Sequence, residues 1–217
     1  MNNDAHTLNP WFTLWTEPRA TIQQIVDSDP RRFVLVLAAL GGFFEALDRA
    51  SARSMGDTLE MPVIFGIALV FGPLGGLVTL YLGAALIGWT GRWIGGRASY
   101  EQIRAAIAWS SVPLLWLQLI WIPELLLFGS EMFTTEMPST QATPSLAILL
   151  FFFGVVQLIG LVWFFVVYLK SLGQVQQFSA WKALGNVGLV FLILIVPLMV
   201  IFLGLGIISG ASALANG

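Results

Sequence analysis

Cysteine is absent from this 217-residue sequence. That excludes disulfides, thiol catalysis, iron–sulfur clusters and thiolate metal sites. Histidine occurs once, as His6 in a polar N-terminal stretch, so the several His or Cys ligands of a zinc enzyme are not there. Charge is scarce too. Asp, Glu, Lys and Arg make up 10% of the residues, against about 25% in a soluble domain. The net charge is −2, with no basic patch of the size nucleic acid requires. Catalytic signatures are missing in the same way. The sequence has no Gly-x-Ser-x-Gly, no His-Glu-x-x-His, no Ser–His–Asp set and no dinucleotide fingerprint. Gly91, Gly95 and Gly96 form a glycine-rich stretch, but without the lysine and hydroxyl of a phosphate loop. These absences point to a non-enzymatic chain without cofactor, metal or nucleic acid.

What fills the sequence is apolar. Hydrophobic residues account for 57%, and the mean hydropathy is +0.84. A chain of this kind uses lipid as its solvent. Five apolar runs predict five spans, at 33–50, 62–89, 103–128, 146–169 and 184–208. About 20 apolar residues cross the hydrocarbon core, and the last four runs reach that length. The first is interrupted near its end by Glu45, Asp48 and Arg49. The opening residues, Met1 to Thr7, are polar and do not read as a secretory signal, so the first run is expected to stay in the membrane. The expected fold is all-α: a polytopic membrane protein of five transmembrane helices preceded by a short interfacial amphipathic helix. Residues 1–32 would be the N-terminal segment, 33–208 the five-helix domain and 209–217 a short external tail.

Lys and Arg set the expected orientation. Arg19, Arg31, Arg32, Arg92, Arg97, Arg104, Lys170 and Lys182 fall on one side of the spans, and only Arg49 and Arg53 on the other. The N-terminus is therefore expected in the cytoplasm and the C-terminus outside. Ahead of the first span, Trp11, Phe12 and Trp15 lead into Thr16-Glu17-Pro18. Proline suits a first helical turn, and Thr16 is the expected cap. Ile22, Ile25 and Val26 then recur at helical spacing, and together with Trp11, Phe12 and Trp15 they are the candidate interfacial contacts. This is either a helix in the membrane interface anchored by tryptophans or a helix packed under the bundle. The loop at 129–145, with Glu131 and Glu136, is expected outside.

Three constellations are candidate sites. Glu45, Arg49 and Arg53 share a helix face, with Asp48 beside them. Glu124, near the outer end of the third span, falls at the same depth. Together they form either a polar cavity for a cation, proton or headgroup, or a salt-bridge cluster pinning spans 1 and 3. The second set is Gly72, Pro73, Gly76 and Pro113, read as kinks and close helix packing. The third comprises the intramembrane polar groups Gln118, Gln157, Ser110 and Ser111, expected to bond neighbouring helices.

The order of these features resembles the Yip1 family of multi-span membrane proteins, in its bacterial branch. The resemblance rests on four stretches: Asn9 to Thr21, with Trp11, Trp15 and Pro18-Arg19-Ala20; Gly41-Gly42 before the charged end of span 1; Ala105 to Pro113; and Leu169 to Leu184, with Phe178-Ser179 and Lys182-Ala183-Leu184. It implies five spans with a cytoplasmic N-terminal region and, for a bacterial member, the inner membrane, with the C-terminus periplasmic. Eukaryotic members are linked to vesicle trafficking and Rab-class GTPases. Their long N-terminal region is reduced here to about 32 residues, which argues against GTPase binding. The expected role is a membrane-organising adaptor contacting lipids, a membrane-protein partner or a second copy. The alternative is a small transporter or channel built on the outer polar cluster.

Overall fold

The computed structural model describes residues 8–215, leaving aside the side chains of 201 and 204–215. His6 and the last two residues of the expected tail lie outside the described residues. In chain order the helices are α1 (Pro10–Thr13), α2 (Pro18–Ser28), α3 (Val34–Ala52), α4 (Met61–Trp93), α5 (Tyr100–Ser110), α6 (Val112–Leu117), α7 (Trp121–Phe128), α8 (Pro138–Ala142), α9 (Pro144–Val175) and α10 (Ala180–Ala215). Short 3-10 turns at Met55–Asp57, Gln118–Ile120 and Gly129–Phe133 join some of them.

Local chemistry sets several of these boundaries. Proline opens α1, α2, α4, α6, α8 and α9, where its missing N–H has no intrahelical partner to lose. Ser99 and Gln102 form a reciprocal capping box at the start of α5. The expected Thr16 cap is corrected. Glu17 occupies the cap position of α2 and makes no side-chain bond there; Pro18 leaves one donor fewer to satisfy. The third apolar run is also not one rod. It is broken at Ser111, just before Pro113, and again by the 3-10 turn at Gln118–Ile120, into α5, α6 and α7. By contrast α4 runs through Pro73 without a break, so of the two prolines read as interruptions only Pro113 is one.

Among the described residues, four helical stretches are long and apolar enough to cross a membrane: Met61–Trp93, Tyr100–Phe133, Pro144–Val175 and Ala180–Val200. The 19-residue α3 is not among them, because Glu45, Asp48 and Arg49 crowd its last third. Large apolar side chains cover the outside of the bundle, among them Leu69, Phe71, Phe151, Leu158 and Phe202. Such a belt is stable against lipid, and its backbone groups are satisfied within the helices. α10 continues to Ala215, past the expected end of the fifth span at 208.

Two cores hold the bundle. The larger joins Leu14, Ile22, Ile25 and Val26 to Leu80, Ile87, Ile103, Trp109, Leu172 and Ala183, and so ties the N-terminal segment to α4, α5, α9 and α10. The smaller lies at the other end, around Leu47, Ile64, Ala68, Trp121 and Phe133. Between them α3 and α4 run antiparallel in backbone contact. A Cβ on Gly42 would lie 2.7 Å from the Cα of Gly76, and one on Gly72 the same distance from the Cα of Phe43. The small-residue face at Gly72 and Gly76 is therefore used within the chain, against α3.

Candidate functional site

At the end of the bundle that holds the smaller core, the last turns of α3 meet α7 and α9. Asp48 accepts two hydrogen bonds, from the Gln118 amide and the Trp121 indole, each at 3.0 Å. Glu124 is 3% exposed and accepts from the Gln157 amide at 3.0 Å. Asp48, Trp121, Glu124 and Gln157 line one cleft of about 430 Å³, with Ser51, Met132 and Gly154 completing its wall. Among the described residues, no Lys or Arg forms an ion pair with either carboxylate. Their partners are neutral donors, and an ionised carboxylate has about four acceptor positions. Both groups therefore keep acceptor capacity, which suits a cation, a proton or a donor-rich headgroup. Among the described residues, no group of three or more His, Cys, Asp or Glu side chains could hold a metal ion.

The five-residue polar cluster expected from the sequence is thus divided. Asp48 and Glu124 share the cleft. Glu45 and Arg49 pair with each other on an exposed face of α3, beside a narrow groove at Gly72 and Gly76. Arg53 is exposed just past the end of α3. Helix geometry is the reason: Asp48 lies about 100° around the axis from Arg49, so the i, i+4 stripe turns toward α4 while Asp48 turns toward α7. The salt-bridge network expected between spans 1 and 3 is replaced by amide and indole bonds. As an exposed pair, Glu45 and Arg49 contribute little to stability.

The N-terminal contact residues are also corrected. Ile22, Ile25 and Val26 are buried inside the protein, so they are not available to lipid or a partner. Trp11 packs edge-on against Trp109 at 5.4 Å and near Phe33 at 6.1 Å. Its carbonyl accepts from the Trp116 indole at 3.3 Å, and the Trp15 carbonyl accepts from Trp163 at 3.1 Å. The tryptophans thus stitch the segment to α6 and α9. A left-handed turn at Phe33 (φ 57°) brings the chain into α3, and the Trp109 indole holds the carbonyl of Arg32 at 3.1 Å. Of the six expected contacts only Phe12 is exposed, at 61%. Phe12 stacks on Trp116 of α6 at 5.8 Å. On α2, Gln23 accepts from Gln174 of α9 at 3.1 Å, and Gln174 accepts from Arg19 at 3.5 Å.

The intramembrane polar residues divide as well. Gln118 and Gln157 bond neighbouring helices, whereas Ser110 and Ser111 donate back to carbonyls of their own helix at 2.8 and 2.6 Å. Sequence reasoning overlooked Asn186. It is fully buried, accepts from Thr90 at 2.6 Å and donates to the Ile87 carbonyl at 3.1 Å, locking α10 to α4. Its signal was there to read, as a lone amide at the start of the fifth apolar run. Gln176, 1% exposed, fits against Gly91 and Gly96, where any Cβ would strike its amide.

A family model described as the Yip1 domain matches residues 12–202, which takes in α2 and all four long apolar stretches. The chain belongs to the Yip1 family. No curated protein and no solved structure matches it. This Yip1-domain protein is a membrane protein whose outward apolar helix faces contact lipid. The match reaches back to Phe12, consistent with a family domain in which α2 shares the helical core.

Proposed function

We propose that this Yip1-domain protein is a non-enzymatic adaptor or membrane-organising factor of a bacterial inner membrane, acting through helix, lipid and partner contacts. In this reading α3 is a fifth span, the N-terminus is cytoplasmic and the C-terminus periplasmic. The antiparallel contact between α3 and α4, from Ala38 beside Gly76 to Leu47 near Ile64, supports the fifth span, because a helix lying along a spanning neighbour shares its depth. The eight-to-two division of Lys and Arg supports the orientation. The boundaries near 32 and 208 then mark topology. They do not separate folding units, since Leu14 and Ile22 belong to the main core.

One observation carries the adaptor reading: the N-terminal segment is fixed to the bundle by its buried side and presents a preformed outer face. Arg19, Gln23 and Gln174 form a polar part of that face, and Phe12 is exposed on α1 against Trp116. A preformed surface binds without the cost of ordering a tail. Photo-crosslinking in native membranes, with probes at Phe12 and Gln23, tests it. A discrete protein adduct, lost on reversing the charge of Arg19, supports the adaptor. Lipid adducts alone at both positions refute it.

The second reading is a small transporter or channel. It is favoured by the cleft, where Asp48 and Glu124 face shared space with only neutral donors as partners. Proteoliposome flux of protons or monovalent cations, abolished in D48N and E124Q but retained in E45Q, would support it. Equal flux in all three variants would remove it.

A further inference from the structure

We propose that Arg104, held against the paired rings of Tyr81 and Tyr100, is a binding site for the phosphate of an anionic phospholipid at the membrane boundary. The proposal does not depend on the adaptor reading and needs only that α4 crosses the membrane. The guanidinium carbon lies 4.9 Å from the centroids of both tyrosine rings. The Tyr100 hydroxyl donates to the Tyr81 carbonyl at 2.8 Å, fixing the start of α5 against α4. The side chain is therefore placed by two aromatic faces. Cation–π contact fixes the position of the guanidinium and leaves its N–H donors as the remaining recognition surface.

Those donors have no protein acceptor. Among the described residues Arg104 forms no ion pair, and its Nε is buried without a hydrogen-bond partner. The nearest carboxylate along its helix is Glu101, one turn earlier, and it is taken by Arg31 at 2.5 Å. Nε itself is closed off, but the two Nη groups of this half-buried arginine are neither bonded nor buried, and their donors match a phosphate that accepts two parallel N–H bonds.

Depth selects the source of the phosphate. From Met61, the first residue of α4, to Tyr81 is a rise of roughly 30 Å at ~1.5 Å per residue, the thickness of the hydrocarbon core. The register with α3 agrees: Gly76 lies beside Ala38, so Tyr81 stands level with the start of α3, where Arg31 and Arg32 meet the headgroups. Arg31 and Arg32, which directly precede α3, lie at the same end. Both tyrosines are 40% exposed on the outside of the bundle, open to lipid from the side. A phosphoryl group reaching Arg104 there is carried by a lipid, and the surplus of basic residues at this end favours an anionic one.

The test is competition between phosphatidylglycerol and phosphatidylcholine for the purified full-length protein, read by native mass spectrometry as the ratio of retained lipids. The wild type is expected to retain phosphatidylglycerol in preference, and R104Q to lose roughly tenfold of that preference, the loss of one charge-assisted contact. R92Q, which removes an exposed arginine from the end of α4, is expected to keep the wild-type ratio. R104K, which retains charge but not the planar fork, is expected to fold and still to lower the ratio, and it decides the matter where R104Q does not fold. A wild-type ratio in R104K, or an equal loss in R92Q, overturns the site. Displacement of the retained lipid by millimolar inorganic phosphate overturns the lipid assignment and makes the ligand a soluble anion.

Discussion

The adjacent glycines Gly41 and Gly42 provide a sharp test of how α3 and α4 meet. A methyl group added at Gly41 meets nothing within 4 Å. One added at Gly42 collides with the Gly72 carbonyl oxygen and lies 2.7 Å from both the N and Cα of Gly76. Carbon contacts are comfortable at about 3.5–4.0 Å. The obstructing atoms are backbone, so no side chain can swing aside and the helices themselves must separate. Alanine in place of glycine favours a helix by up to about 1 kcal/mol, and this gain applies equally to both positions. It cancels when the variants are compared. What remains is the overpacking cost of G42A, about 1–3 kcal/mol. The assay is reversible unfolding of G41A and G42A in mixed micelles, with G75A and G76A as the matching pair on α4, since Gly75 is equally open and Gly76 equally blocked. G41A and G75A should be neutral or stabilised, and G42A and G76A destabilised. If G42A were as stable as G41A, the backbone contact between these helices would be wrong.

Three further outcomes follow from the same geometry. I22S should destabilise the protein by about 3 kcal/mol, because Ile22 is fully buried in the main core, while F12S leaves the unfolding midpoint unchanged; equal effects would show that α2 does not pack on the bundle. N186A should cost about 1 kcal/mol, and a double-mutant cycle with T90A should show coupling, as expected of an interhelical polar contact in a membrane protein; additive losses would place Asn186 elsewhere. In the loop joining α3 to α4, the backbone N–H of Thr135 (3.0 Å) and its hydroxyl (2.6 Å) donate to Asp57, holding that carboxyl below the usual aspartate range. The clip is thus complete above the ordinary aspartate pKa near 3.9 and is lost as pH falls through the lower folded value. Hydrogen exchange of the 129–138 segment should rise in acid in the wild type and stay high at all pH in D57A; a pH response surviving in D57A would assign the effect to another group.

Hydropathy and the distribution of charge carry far in such a chain, because lipid imposes one rule on every spanning segment: each must satisfy its own backbone. The four long apolar stretches, the helical N-terminal segment and the family could all be read from Trp11 to Val200 in one dimension. Helical spacing also put Ile22, Ile25 and Val26 on one face. Spacing says which residues share a face, but not what covers it. Only the tertiary structure turned that face inward, onto α5 and α9. Likewise Glu45, Asp48 and Glu124 were legible as charges at one depth, but depth is a single coordinate and rotation about the helix axis is another. Packing through Gly42, Gly72 and Gly76 fixes the rotation of α3, and that sends Asp48 to Trp121 and Gln118 while leaving Glu45 to Arg49. The seating of Arg104 against Tyr81 was illegible for the same reason: Tyr100 shares its helix at i, i+4, but nothing local brings in Tyr81 of α4 until the bundle sets the two helices side by side.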